Sequence, residues 1–576
     1  LKNNSFDLLS ILIKGVLLTL LLFFLLASLI VFLNSYEEFV DLILSITEKQ
    51  HRKEEFIQRF LSREKFQIIR AGIIASFLVS SFLTFWFYRR ISSFSERLII
   101  YARIAGEIIY SGFLAFRTLS IFQKSLFFLL FIFIVFFRIK HLFIYPLTND
   151  EIFTWLYFVK TGFLTAGSYY PAPNNHILYS LSCNFIDIFI DNERLVLRLP
   201  SLAAGLISVL VLFLYFLKRY SFSLAFLIVV FYSSFINIFF YSFHGRGYVF
   251  LYLFFILLLI SVFELIQGRR EFFWKCLFVV SAVLGFYSIP VFLYPFSSLF
   301  SFGVIWLIYK KDYSFLREFI LLSLAVAVLT LILYSPVLLI SGWDSLAANT
   351  FVLPLSSESF FSQLTYYFKH LASYWWDSEW GNLMTLLAVV PGFIVLLLKR
   401  RPDWLLAGIC LFIIPFLILL VQRVHPFYRI WDYILILFAI LIAFIFDYIT
   451  GFIRIPDIRQ TFLFMIFLLT SVNLYSKVNK FTELGFPYYS QMDQSIQRLI
   501  EEEFNTAYIS EDTYYLFFTY WTEKENRSVL IDSRLPSYEP DLLILPVDQP
   551  FPFATENFTL LEKNKYVSIW IKNRGN

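Results

Sequence analysis

Apolar runs of roughly 20 residues, separated by short polar turns, recur along most of the chain. A helix of about that length spans the hydrocarbon core of a bilayer, so each run predicts a crossing. The first three lie at 8–33, 71–88 and 125–145. Ten more are centred on 199–217, 222–241, 248–266, 275–289, 291–309, 319–340, 383–398, 404–421, 429–447 and 461–475. The expected total is about 13 crossings, with the pair around Pro290 the shortest. The run at 8–33 is too long for a cleaved signal peptide and reads as a signal anchor. Residues 34–70 and 91–122 carry charges at helical spacing and read as amphipathic. Beyond about 477 the long runs stop. Short strand-like pieces at 542–545 and 566–571 then alternate with a helical one at 494–503, as in a small α/β domain. The expected fold is an all-α polytopic membrane protein carrying a small C-terminal α/β domain. Its expected parts are an extension (1–122) with two crossings, a membrane core (123–476) and a soluble unit (477–576).

Composition agrees. Hydrophobic residues make up 59% of the 576 and charged residues 15%, against about 45–50% and 25% in soluble domains. So little charge cannot coat a water-soluble multidomain enzyme, and so apolar a chain is not disordered. The net charge of +5 is too small to indicate a nucleic-acid partner. Cys183, Cys276 and Cys410 sit in apolar or near-apolar runs and read as small core residues, not a disulfide framework. No Walker, Rossmann or zinc motif is present.

Lys and Arg crowd the turns at 218–219, 269–275, 310–317, 399–401 and 454–459, which marks those turns as cytoplasmic. Alternation then places 146–198, 242–247, 342–382, 422–428 and everything after 477 outside. Apart from His51, every histidine (His141, His176, His244, His370 and His425) falls at or beyond that outer face. The chemistry is expected there.

The first outer loop opens with Thr148-Asn149-Asp150-Glu151. Two readings of the acidic pair stand: charge decoration of a capped helix N-terminus, or a carboxylate base that takes a proton from an acceptor hydroxyl. Adjacent carboxylates hold unequal affinities for protons, which suits one base and one positioning group. Arg194 and Arg198 either snorkel to the interface or bind. In Gly245-Arg246-Gly247-Tyr248, Arg246 opens a crossing on the outer side against the charge bias, which points to an anionic partner. Arg423 and Arg429, with His425 between them, crowd another short outer turn. These cationic loci on one face suit a phosphate. In the long 342–382 segment, Trp376 and Asp377 belong either to an aromatic belt or to a sugar-binding surface under a lid.

Asp150-Glu151, Pro173-Asn174-Asn175-His176, Arg198-Leu199-Pro200-Ser201 and Gly245-Arg246-Gly247-Tyr248 together resemble the GT-C-fold glycosyltransferases. The subgroup they resemble contains the protein O-mannosyltransferases and the lipid A aminoarabinose transferase. The resemblance covers about 123–476; residues 1–122 depart from its usual core. It implies an inverting transferase that takes a monosaccharide from a polyprenyl-phosphate carrier, without nucleotide, required cofactor or required metal. The acceptor would be a lipid, cell-envelope glycan or protein on the outer face of a prokaryotic plasma membrane. Asp150 and Glu151 take the place of the catalytic acidic position. Arg246, Arg429, Arg423, His244 and His425 would face the donor phosphate; Asn175, His176, Tyr248, Trp376 and Asp377 would face sugar or acceptor. The competing classes are a flippase or transporter of lipid-linked solutes and an O-antigen ligase or polymerase. A transporter needs polar residues and broken helices near mid-membrane, and a ligase would not need Asp150.

Overall fold

The computed structural model describes residues 21–22, 25–26, 28–46, 62–88, 91–171, 173–347 and 353–573. Most of the run at 8–33, His51 and the Arg89-Arg90 pair lie outside them. Among the described residues, eight helices are long and apolar enough to cross a membrane: Ile121–Ile144, Glu193–Arg219, Tyr248–Ile266, Pro290–Tyr309, Tyr313–Ile340, Gly381–Leu398, Pro402–Gln422 and Pro456–Glu501. Shorter apolar helices occupy Phe222–Ser234, Phe272–Ser288 and Ile434–Thr450, and an apolar stretch, Phe66–Ala75, lies within Arg63–Tyr88.

The short members have local causes. The 222–241 run breaks where Phe235 turns extended and caps a second helix, Ile236–Tyr241. Ile289 is extended because the following Pro290 disfavours a helical residue before it. The 429–447 run yields a helix only from Ile434, since Tyr428–Trp431 forms a tighter 3-10 turn. Phe222–Ser234, Tyr248–Ile266 and Ile434–Thr450 are buried on nearly every side, as helices apolar all round should be. They form the bundle's interior, while Tyr313–Ile340 buries few of its side chains. Cys183 and Cys410 are buried, Cys276 is half-buried, and all three are free thiols.

The segment expected as a long outer loop holds a 20-residue helix, Ser357–Trp376, capped by Ser356 and ended by Asp377 in the left-handed conformation. At the other end of the chain, Pro456–Glu501 runs unbroken from the last apolar stretch into the soluble part. There, β1 (Thr506–Ile509), β2 (Leu530–Asp532), β3 (Leu542–Pro546), β4 (Phe558–Lys563) and β5 (Val567–Lys572) form one sheet in the order β2-β1-β3-β5-β4. β1 is parallel to both its neighbours, and β5 is antiparallel to both of its own. The helix Asp512–Lys524 packs on this sheet and on the first outer loop.

Candidate active site

The loop that follows Ile121–Ile144 is built around Glu151. Thr148 caps the six-residue helix Asn149–Thr154: its Oγ1 accepts from the Glu151 N–H, and Glu151 Oε2 accepts from the Thr148 N–H at 3.0 Å. The helix then loosens into a wider π turn over Trp155–Val159, a distortion frequent at functional sites. The Glu151 carboxylate is fully buried and receives Arg198 Nε and Nη2, each at 2.7 Å, and the Gly245 N–H at 2.9 Å. Arg198 spends its remaining donors on the carbonyls of Leu142, Tyr145 and Pro146. All five guanidinium N–H groups are thereby used. Arg198 does not snorkel. Burial pushes the Glu151 carboxyl up, but Arg198 outweighs it and holds it down at about 2. This pair is a lock, and neither member has capacity left for a substrate.

The turn that donates to Glu151 needs its glycines. A Cβ on Gly245 would lie 2.8 Å from Glu151 Cγ and Oε1, and one on Gly247 would lie 2.6 Å from His176 Cβ. Between them stands Arg246, 1% exposed, with Nη1 donating to Asn174 and Nε 3.6 Å from Asp150 Oδ2. Arg429 Nη1 approaches the same oxygen at 3.8 Å. Both guanidinium groups lie over the Tyr248 ring, at 5.8 and 5.5 Å. His176 and Tyr241 pack edge-on or tilted against that ring.

Asp150 differs from its neighbour. Its side chain is 28% exposed, and among the described residues its carboxylate has only these two loose ion pairs. Burial raises its proton affinity, but Arg246, Arg429 and His244 outweigh that and leave it below the usual carboxylate range. It is an ionised, reachable acceptor of protons. His176 is held well below its usual range by burial and by Arg246 and Arg429. His244, whose Nε2 meets Thr148 Oγ1 at 2.8 Å, is brought to about 4 chiefly by burial. Both imidazoles are neutral near pH 7. The positive charge of the cluster therefore rests on two arginines facing one carboxylate. Arg246 Nε and Arg429 Nε are buried without hydrogen-bond partners.

Asp150, Glu151, His176, His244, Arg246, Tyr248 and Arg429 are thus brought together from four separated stretches. Asn175 stands beside them but is consumed: its amide donates to the Ala166 and Tyr169 carbonyls and accepts from Ser180. Arg423, His425, Trp376 and Asp377 are placed elsewhere among the described residues. Arg423 ends the Pro402–Gln422 helix in the left-handed conformation and donates to Ser357. His425 is stacked between Phe360 and Tyr367. Trp376 stacks on Phe438 and bonds Thr385, and Asp377 faces Lys477 at 3.9 Å. His425 and Trp376 are thus held by aromatic packing, Arg423 and Asp377 by polar contacts of their own. Among the described residues, no three His, Cys, Asp or Glu side chains gather in a group that could hold a metal ion.

Two polar residues of the region escaped the sequence reading. Asn174 is the Arg246 partner, passed over for Asn175. Asp432, fully buried, accepts from Asn237, Tyr252 and Tyr374. It lay inside the apolar run at 429–447, where an acidic residue is itself a functional signal.

No protein-family model matches the chain, and no curated protein matches its sequence. Solved structures do match in shape. The crystal structure of ArnT from Cupriavidus metallidurans in the apo state aligns with a TM-score of 0.51 at 11% identity, over 78% of this chain and 96% of that one. The crystal structure of ArnT from the same organism bound to undecaprenyl phosphate gives 0.51 and 12%, over 77% and 97%. The chain has the GT-C fold. Within that GT-C fold the cluster sits where the loop after Ile121–Ile144 meets the turn before Tyr248–Ile266, at the ends of long apolar helices.

Proposed function

We propose that this protein is an inverting glycosyltransferase that moves a monosaccharide from a polyprenyl-phosphate carrier to an acceptor outside the membrane. The acceptor is a lipid, an envelope glycan or a protein, and the site faces outward from a prokaryotic plasma membrane. The observation that carries this reading is the charge imbalance at the cluster. Arg246 and Arg429 share the single reachable carboxylate of Asp150, and each keeps a buried Nε without a hydrogen-bond partner. At the opposite helix ends, some basic side chains meet carboxylates more closely, as in Arg219–Glu264 at 2.8 Å and Arg401–Asp403 at 2.7 Å. An unbalanced pair of guanidinium groups beside a base at the end of a membrane helix suits a lipid-borne phosphate ester. The GT-C fold and the undecaprenyl phosphate bound to ArnT lend support.

In this mechanism the donor phosphate lies against Arg246 and Arg429. As the bond between anomeric carbon and phosphate oxygen breaks, negative charge grows on the phosphate, and the preplaced guanidinium groups stabilise it. Asp150 takes the acceptor hydroxyl's proton while its oxygen attacks the opposite face of the anomeric carbon. That geometry inverts the centre and leaves free polyprenyl phosphate. No step requires a nucleotide or a metal.

The test is release of undecaprenyl phosphate by the full-length protein in detergent. Synthetic undecaprenyl-phosphate mannose, glucose and aminoarabinose serve as donors, and an envelope lipid-and-glycan extract as acceptor. Arg246→Lys keeps the charge and loses the planar fork. It is expected to weaken donor use with folding intact, and Arg246→Ala to weaken it further. Full turnover in both variants overturns the phosphate role. Protein-dependent flipping of labelled lipid across vesicles, with no sugar transferred, would return the protein to the transporter class.

A further inference from the structure

We infer that Tyr489 is a positioning residue for Asp150, so that the C-terminal domain completes the transfer site from outside the membrane core. This rests on the proposed role of Asp150 as the base. The Asn149 side-chain oxygen accepts two hydrogen bonds: from the Asp150 N–H at 2.8 Å and from the Tyr489 hydroxyl at 3.2 Å. Tyr489 stands on the outer extension of the helix Pro456–Glu501. A single amide oxygen therefore ties the backbone of the candidate base to the helix Pro456–Glu501, Asn149 and Tyr489 being 340 residues apart in sequence.

The next residue along is seated in the same unit. Ile152 is fully buried in the apolar cluster formed by Met492, Ile496, Phe517 and Phe518, with Leu147 and Trp155 packed at its edge. The helix Asn149–Thr154 has six residues, too few to be stable by itself. It takes its shape from two sides. Arg198 and Gly245 hold Glu151 from the membrane core, while Tyr489 and the cluster around Ile152 hold Asn149 and Ile152 from the domain. Asp150 lies between these two anchorages with its side chain 28% exposed. Lys160–Glu523 at 2.6 Å and Lys524–Glu193 at 3.1 Å also join domain to core, but such exposed pairs add little. The apolar seat and the Tyr489–Asn149 bond carry the attachment.

Tyr489→Phe removes the hydroxyl and keeps the ring, which lies 6.2 Å from Phe517 and nearly parallel to it. The expected result in the undecaprenyl phosphate release assay is a fall in kcat of about tenfold, with KM for the donor and the melting temperature unchanged. Asn149→Ala, which also removes the bond to the Asp150 N–H, is expected to lose at least as much, and the double variant to be no worse than Asn149→Ala alone, because the Tyr489 link is already broken there. Amide exchange gives a readout that needs no turnover: Tyr489→Phe should speed exchange in a peptide spanning 147–158 and leave one spanning 200–215 unaltered. Asp150→Asn is the reference. If it retains full transfer, the base assignment fails first. If Asp150→Asn abolishes transfer while Tyr489→Phe alters neither kcat nor exchange, only the positioning role is overturned. Losses that multiply in the double variant overturn it as well.

Discussion

Two adjacent carboxylates, Asp150 and Glu151, face opposite fates because one helical step turns them about 100° apart. Glu151 points into the core and is saturated by Arg198, Gly245 and Thr148; Asp150 points toward the two unsaturated arginines. Their variants should therefore fail differently. Asp150→Asn is expected to cost about 10²–10⁴-fold in transfer with little change in melting temperature. Glu151→Gln leaves Arg198 charged and unpaired inside the protein, a loss of about 3–5 kcal/mol, and should appear first as a lowered melting temperature or failed expression. A stable, inactive Glu151→Gln beside a fully active Asp150→Asn would reverse the assignment. Acid should act in two stages. His244 is neutral and buried with its proton affinity lowered to about 4 from 6.5, so the unfolded chain binds more protons between those values. Stability then falls as pH drops through that window. Glu151, lowered to about 2 from 4.5, contributes fully above 4.5, and its share is lost as pH falls toward 2. Melting curves in detergent across pH 7 to 3 would show the first stage flattened in His244→Gln.

The turn Gly245-Arg246-Gly247-Tyr248 shows what can be seen in a sequence. An arginine that opens a helix against the charge bias stands out in the sequence, and the structure places Arg246 beside Asp150. The flanking glycines have an equally physical cause. Gly245→Ala would press a methyl group into Glu151, and Gly247→Ala would press one into His176. Each neighbour is itself fixed, so both variants are expected to lose transfer and melting temperature together. Gly162→Ala is the contrast: nothing lies within 4 Å of the added methyl, although its φ of +87° still imposes backbone strain. Transfer by Gly245→Ala equal to wild type would show that the turn can shift freely. Aromatic and histidine positions were less legible. Trp376 and His425 sit in outer segments with the composition of a binding surface, yet they pack against Phe438 and between Phe360 and Tyr367. Composition cannot separate a ring that stacks on its own protein from one that would stack on a sugar. Likewise, hydropathy found the runs at 222–241 and 429–447 but not the breaks at Phe235 and Tyr428–Trp431, which come from local backbone geometry. Asp432 went unseen because the averaging that reveals a crossing hides a single charge within it.

For the whole molecule, the contact between the loop after Ile121–Ile144 and the C-terminal domain fixes whether the crossings between them are even or odd in number. Ile152 lies in the apolar cluster of that domain, and Tyr489 bonds Asn149, so both parts must occupy one side of the membrane. Seven of the eight long apolar helices follow that loop. Seven crossings would place the domain on the opposite side from the loop it touches. The three shorter helices, Phe222–Ser234, Phe272–Ser288 and Ile434–Thr450, raise the number to ten and restore the same side. Their shortness is permissible because two of them lie largely inside the bundle, where neighbouring helices replace lipid, and Phe222–Ser234 is extended by Ile236–Tyr241. The positive turns then all fall on the other side, in keeping with the charge bias. Single cysteines introduced at Ser378, Arg400 and Asn526, in a background with Cys183, Cys276 and Cys410 replaced by Ala, should separate cleanly in intact cells. A membrane-impermeant maleimide is expected to label the Ser378 and Asn526 variants, and the Arg400 variant only after permeabilisation. Labelling of Arg400→Cys in intact cells together with protection of Asn526→Cys would invert the molecule and turn the Asp150 cluster toward the cytoplasm. Labelling of both Arg400→Cys and Asn526→Cys in intact cells would mean that the three helices between them, Pro402–Gln422, Ile434–Thr450 and Pro456–Glu501, do not all cross.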